Sequence, residues 1–312
     1  MLKYFFKKLI TCFISLFVVM SATFFLMKAI PGDPFLSDQD MPKEVLNSLY
    51  AHYGLDKPLF HQYLKYIKGF LTLDLGPSFM YEGRSVNQII KDGLPISMAL
   101  GFEALFISIS FGIIFGMIGA IKKDKWQSTF ITIVAVLGIS VPNFLFATLL
   151  QYFLAMKLHL FPIARFDSFW HTILPAIALA SLPTAYIAKL MRASMIEVLS
   201  KDYIKTAKAK GLSHFQVIMK HAFRNSLLPV VSYLGPLTAH VLTGSFVIEK
   251  IFSVPGIGMW LVSSIASRDY PVILGISVFF SFVLIMIMFL MDIIYKIVDP
   301  RIEIKDGIRT AR

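Results

Sequence analysis

Six apolar runs, each long enough to cross a bilayer, decide what this chain can become. They cover residues 9–29, 97–121, 129–156, 172–192, 227–248 and 272–295. The hydrocarbon core of a bilayer takes about 20 helical residues. In lipid every backbone polar group must be satisfied internally, and runs of this length do so as helices. With 56% hydrophobic and 16% charged residues and a mean hydropathy of +0.70, the composition lies outside the soluble globular range. The expected fold is an all-α membrane protein with six transmembrane helices. A cleavable signal peptide competes for the first run, but that run exceeds the usual length of a signal-peptide core.

The formal charge of +11 does not point to nucleic acid. Its basic residues sit in short segments that flank apolar runs, as the positive-inside rule describes. Lys3, Lys7 and Lys8, then Lys122, Lys123 and Lys125, then the basic residues from Lys189 to Arg224, and finally those from Lys296 onward all fall on one side. Both termini and the segment 197–229 are therefore expected in the cytoplasm. The single cysteine, Cys12, leaves no intramolecular disulfide and no cysteine-based metal site. The seven histidines show no ligand spacing, and no G-x-x-x-x-G-K-[ST], H-E-x-x-H or G-x-S-x-G motif occurs. The chain is expected to carry no catalytic residue, metal or cofactor of its own.

Three divisions follow: a tail with the first span (1–30), a polar outer region (31–96) and a core (97–312). In the outer region Pro58 can open a helix at its first position, with Leu59, Tyr63, Ile67 and Phe70 at helical spacing after it. A small helical extracytoplasmic cap is expected. The core spans are broken by Pro142, Pro175, Pro183 and Pro236, and the second carries Gly101, Gly112, Gly116 and Gly119. Small residues at such spacing let helices approach closely. Broken helices suit a transport path, and a purely packing role is the alternative. Glu103 is read as pairing at an interface or facing water. After the fifth span, Pro255, Gly256 and Gly258 precede an apolar stretch too short to cross.

The most structured polar segment is 197–229. A helical run reaches Gly211, where left-handed backbone is cheap, and Ser213 then forms a capping box with Gln216. Leu212 and Val217 stand at the positions of a hydrophobic staple. Phe215, Ile218, Met219 and Ala222 recur at helical spacing as an apolar face, with Lys220, Arg224 and Asn225 elsewhere on the helix. Periodicity alone leaves two readings open, a docking knob or a helix lying in the headgroups.

The chain resembles the inner-membrane permease subunits of ATP-binding-cassette importers, in the oligopeptide and dipeptide branch and its B-type subunit. The likeness rests on Pro31-Gly32-Asp33-Pro34, Gly54-Leu55-Asp56-Lys57-Pro58-Leu59 and Asp74-Leu75-Gly76. It continues through Pro142, Leu174-Pro175, Met191-Arg192, Asp202-Tyr203 and Thr206-Ala207-Lys208-Ala209-Lys210-Gly211. His221, Arg224-Asn225, Gly244-Ser245, Pro255-Gly256-Ile257-Gly258 and Arg268-Asp269-Tyr270-Pro271 complete it.

The resemblance implies the type I importer permease fold and a coupling loop at 197–229 whose short helix docks on a cytoplasmic ATPase. The site residues it implies are Asp202, Tyr203, Thr206, Ala207, Lys210, Gly211, Ser213, Phe215, Gln216, Ile218, Met219, His221, Arg224 and Asn225. It also implies a second permease chain, two ATP-binding subunits that hydrolyse the ATP, an extracytoplasmic peptide-binding protein, a peptide substrate and a bacterial inner membrane. Metal chelates and glutathione are the alternative substrates within the family. A stand-alone ion-coupled transporter or channel is the rival from another class, and it would need midplane ionisable groups that are nearly absent here.

Overall fold

A computed structural model describes residues 2–30, 32, 34–35, 42–242, 246–298, 302–305 and 308–311. Pro31, Asp33, Gly244 and Ser245, from the motifs above, lie outside them. The helices are α1 (Leu2–Ala29), α2 (Lys43–Tyr53), α3 (Leu59–Leu71), α4 (Val86–Ile121), α5 (Trp126–Ser140) and α6 (Asn143–Leu150), which runs on as a π-helix to Lys157. They continue with α7 (Phe169–Leu199), α8 (Asp202–Ala209), α9 (His214–Gln216), a π-helix over Val217–Phe223, α10 (Arg224–Ser226), α11 (Leu228–Leu242), α12 (Phe246–Ile251), α13 (Ile257–Ser267) and α14 (Tyr270–Val298). A hairpin of two four-residue strands, Ile302–Lys305 and Ile308–Ala311, follows the last helix, where helical periodicity had shown no element.

Among the described residues, Phe6–Ala29, Val86–Ile121, Phe169–Leu199, Leu228–Ile251 and Tyr270–Met291 are each long and apolar enough to cross a membrane. The expected run 129–156, which makes a sixth span where it crosses as one, is instead a pair of helices, α5 and the α6 segment to Lys157, that meet at a bend of 106°. Pro142 is the cause. Steric clash with its ring pushes Val141 into extended backbone, at φ −82° and ψ 123°, which ends α5. Pro142 then opens α6, where the N–H it lacks has no helical partner to lose.

Two compact units divide the chain. The first, 1–97 with 255–289, holds the cap. Its core joins Val86, Ile89 and Ile90 of α4 to Ile257 and Leu261 of α13 and to Tyr270, Val272, Ile273, Ile276 and Phe280 of α14. The apolar stretch after Pro255 is a short helix, α13, and its Ile257 N–H donates to Ser97 Oγ at 2.9 Å. A side chain at Gly93 would collide with the Ile257 nitrogen, 2.9 Å from where its Cβ would stand. The cap packs through aromatic rings. Phe24 of α1 meets Tyr63 and Tyr66 of α3, and Phe35, Tyr53 and Phe79 form a second cluster with centroids 4.4–5.6 Å apart. Burial pushes the Tyr66 phenol well above its usual range, with Tyr63 adding to the shift.

Two boundaries differ from the sequence expectation. Pro58 is the N-cap of α3, not its first helical residue. The second span begins as a helix at Val86, because Pro95 is carried inside α4 rather than at its start.

The corner between α13 and α14 holds the first unit's loops. Asp269 is fully buried and accepts from the Ser78 hydroxyl, from Phe79 N–H at 3.1 Å and from Met80 N–H at 3.4 Å. Tyr270 donates to the Gly32 carbonyl at 2.8 Å. Three consecutive residues of one motif, Arg268-Asp269-Tyr270, thus cap α13 in left-handed geometry, anchor the 78–80 turn and anchor the segment after α1.

The second unit, 98–254 with 290–312, is built on α7. α5, α6 and α11 pack against it, and fourteen of its residues are buried. The glycines of α4 make this possible. A Cβ on Gly112 would stand 2.7 Å from Ile187, one on Gly116 2.5 Å from Met191, and one on Gly119 3.1 Å from Arg192. Beside that contact Ser128 donates to the Gly119 carbonyl at 2.8 Å and accepts from Arg192 Nε at 3.2 Å.

Candidate partner-docking site

α7 delivers the chain to the segment singled out in the sequence. At its end Lys201 pairs with Glu197 at 2.9 Å, and that carboxylate holds the Lys201 ammonium above its ordinary range. Asp202 opens α8 and pairs with Lys205 at 2.8 Å, with its negative charge at the positive end of the helix.

α8 stops at a Schellman motif. Gly211 N–H donates to the Lys208 carbonyl at 3.0 Å and Leu212 N–H to Ala207 at 3.4 Å, with Gly211 at φ +79°. The next helix starts two residues later with the capping box complete: Gln216 N–H donates to Ser213 Oγ at 3.3 Å, and Ser213 N–H to Gln216 Oε1 at 3.1 Å.

After one turn the helix becomes π over Val217–Phe223. Its hydrogen bonds close from i to i+5, so Val217 and Ala222 share a face. That face turns inward. Val217, Ile218 and Ala222 are buried with Ile204 and Ala207 of α8, and the π-helix packs against α7 and α8.

The expected apolar face therefore divides. Ile218 and Ala222 serve the segment's own core, as does Ala207, while Phe215, 72% exposed, and Met219, 40% exposed, point outward. Asp202, Tyr203, Thr206, Lys210, Gly211, Ser213, Gln216, Arg224 and Asn225 are exposed and His221 is half-buried. The structure joins two of them that the sequence reading had left apart: Asn225 Nδ2 donates to Tyr203 Oη at 2.9 Å, tying α8 to α10. Ile204 is the core residue the sequence does not single out, and Val217, placed at a staple position, is buried in that same core. The available signal was the spacing of Ile204 and Ala207, three apart on α8, where Ile204 is the one large aliphatic residue.

The result is a small, internally cored corner that exposes Phe215 and Met219 beside Tyr203, within a polar and basic rim. Such a surface suits a protein partner, since fully apolar contacts ringed by polar groups are how interfaces concentrate their energy.

Residues 112–304 match the family model described as the binding-protein-dependent transport system inner membrane component, and residues 1–101 match the model of the N-terminal part of such components. The chain belongs to this family. Its similarity to family members runs end to end. It is 47% identical to the dipeptide transport system permease protein DppB of Bacillus subtilis over 97% of this chain and 99% of that one. It is 37% identical to the oligopeptide transport system permease protein OppB of Escherichia coli K12, over 97% and 100%. The crystal structure of an amino acid ABC transporter with histidines aligns with a TM-score of 0.50 at 17% identity, over 67% of this chain and 94% of that one, a likeness of fold alone. As an inner membrane component, the protein is a multi-pass permease with an all-α core.

Proposed function

We propose that this chain is the B-type permease subunit of an ATP-driven peptide importer. The observation that carries the proposal is its end-to-end similarity to dipeptide and oligopeptide permeases. With a second permease chain it forms the translocation path. Two cytoplasmic subunits bind and hydrolyse ATP, and an extracytoplasmic binding protein delivers the peptide to the 31–96 cap.

The 197–229 corner is the mechanical joint. Phe215 and Met219 seat in a cleft of one ATPase, while Tyr203, Arg224 and Asn225 orient the corner from its rim. Closure of the ATPases around ATP moves the cleft, the rigid corner moves with it, and α7, which is continuous with the segment, transmits the shift to the spans. The path then alternates between inward- and outward-facing states, each ligand favouring the state it binds better.

The test is uptake of labelled peptide into proteoliposomes that contain this chain with its partners. Uptake is expected to require ATP on the side of the ATPases and to be indifferent to ion gradients. Gradient-driven uptake by this chain alone would overturn the proposal.

A further inference from the structure

The faces that the membrane helices present outward differ in kind. On α1 the exposed positions include Phe13, Phe17, Val18, Phe25 and Leu26, with only the small hydroxyl residues Thr11 and Ser15 as exposed polar positions along 9–29, and on α4 Phe102 and Phe106 are exposed. Those faces suit lipid. α7 and α11 do not follow them.

On α7, beyond the exposed Phe169 and Trp170 at its start, the exposed positions Tyr186, Lys189, Ala193 and Glu197 recur at helical spacing and form one stripe along its second half. On α11 Pro229, Pro236 and His240 are exposed and Tyr233 half-exposed, again at helical spacing. The two stripes adjoin, because the Tyr186 and Tyr233 rings lie 5.9 Å apart between centroids. Tyr186 sits near the middle of α7 and His240 near the middle of the fifth span.

Polar and ionisable groups at such depth are costly against lipid and are found facing cavities or bundle interiors. Lys189, at the inner end of the apolar run, makes no ion pair among the described residues. The stripe is also too polar to be a simple packing seam, which in membranes is made of small residues, as on α4.

We infer that Tyr186, Tyr233 and His240 line the aqueous path and contact the transported peptide, with Lys189 at its inner mouth. The inference rests on the peptide-importer reading and names the contact surface for it. Phenol and imidazole groups both donate and accept hydrogen bonds. They can therefore follow the amides of a peptide backbone whatever side chains it carries.

The experiment uses the assembled complex in membranes, with Cys12→Ser as background and single cysteines at Tyr186, Tyr233 and His240. A water-soluble maleimide is expected to label all three, and a labelled peptide taken up by the complex is expected to reduce that labelling severalfold. Phe106→Cys, on the lipid face, is expected to react only with a lipophilic maleimide. Stripe cysteines that behave like Phe106→Cys would overturn the inference. So would labelling unchanged by peptide in a complex that imports normally, or a photoreactive residue at Tyr233 that captures only the second permease chain or lipid during turnover. Because cysteines can perturb packing, Tyr233→Phe supplies a milder variant. It is expected to raise the apparent KM of uptake about 2- to 10-fold, the weight of one neutral hydrogen bond, and an unchanged KM would count against contact. Failure of the complex to import any peptide would instead overturn the proposed function, since aqueous labelling of the stripe does not depend on the substrate.

Discussion

At the scale of single residues, the docking corner depends on backbone geometry at one position. Gly211 sits at φ +79° with nothing within 4 Å of where a Cβ would stand, so a substitution there meets strain and no steric clash. Left-handed backbone costs a β-branched residue about 1–2 kcal/mol, and asparagine much less. Gly211→Val is expected to lower peptide uptake per ATP hydrolysed in the reconstituted complex, and Gly211→Asn to keep most of it. Equal coupling in both variants would show that the Schellman turn does not set the angle of the knob. Phe215 tests the outward face separately, because its side chain leaves the segment's own core untouched. Phe215→Ala should reduce co-purification of the ATPase subunits while leaving the thermal midpoint of the permease where it was. Ile218→Ala is expected to do the reverse in order of cause: the buried core loosens first, at about 2–5 kcal/mol, and docking weakens as a result.

Among whole elements, α4 and α7 show what sequence pattern can reveal and where it stops. The glycines of α4 announced close helix contact, and each of Gly112, Gly116 and Gly119 meets α7. Gly116→Leu is expected to lower the thermal midpoint of the complex by overpacking worth about 1–3 kcal/mol. Phe106→Leu, on the exposed face of the same helix, should leave it unchanged, and equal midpoints would contradict the contact. Pro142 likewise announced the 106° break, and Ser213 with Gln216 the capping box, because each acts through local sterics or hydrogen bonds that the neighbouring residues determine. The π-helix was not legible. Helical spacing assumes 3.6 residues per turn, and the wider turn at Val217–Phe223 moved Ile218 and Ala222 inward where that rule had placed them beside Phe215. The roles of Asp269 and Tyr270 were hidden for a different reason: their partners, Ser78 to Met80 and Gly32, lie about 190 and 240 positions away in the chain, and no local rule reaches that far.

For the molecule as a whole, the proposed coupling depends on which side of the membrane the corner faces. It requires the corner on the cytoplasmic side, where an ATPase would bind it, and the cap outside, where peptide would arrive. The positive-inside rule predicts that orientation: Lys3, Lys7, Lys8, Lys122, Lys123, Lys125 and the cluster from Lys201 to Arg224 lie in short segments that the rule assigns to the side of the corner. Short basic loops resist translocation, whereas a region as long as 31–96 can cross with its charges. Asp56 in the cap and Lys208 on α8 are both exposed and make suitable reporters. In a Cys12→Ser background, a membrane-impermeant maleimide is expected to label Asp56→Cys from outside intact spheroplasts and Lys208→Cys only in inverted vesicles. The opposite pattern would put the corner beyond the reach of any cytoplasmic ATPase, and the coupling mechanism would fall with it.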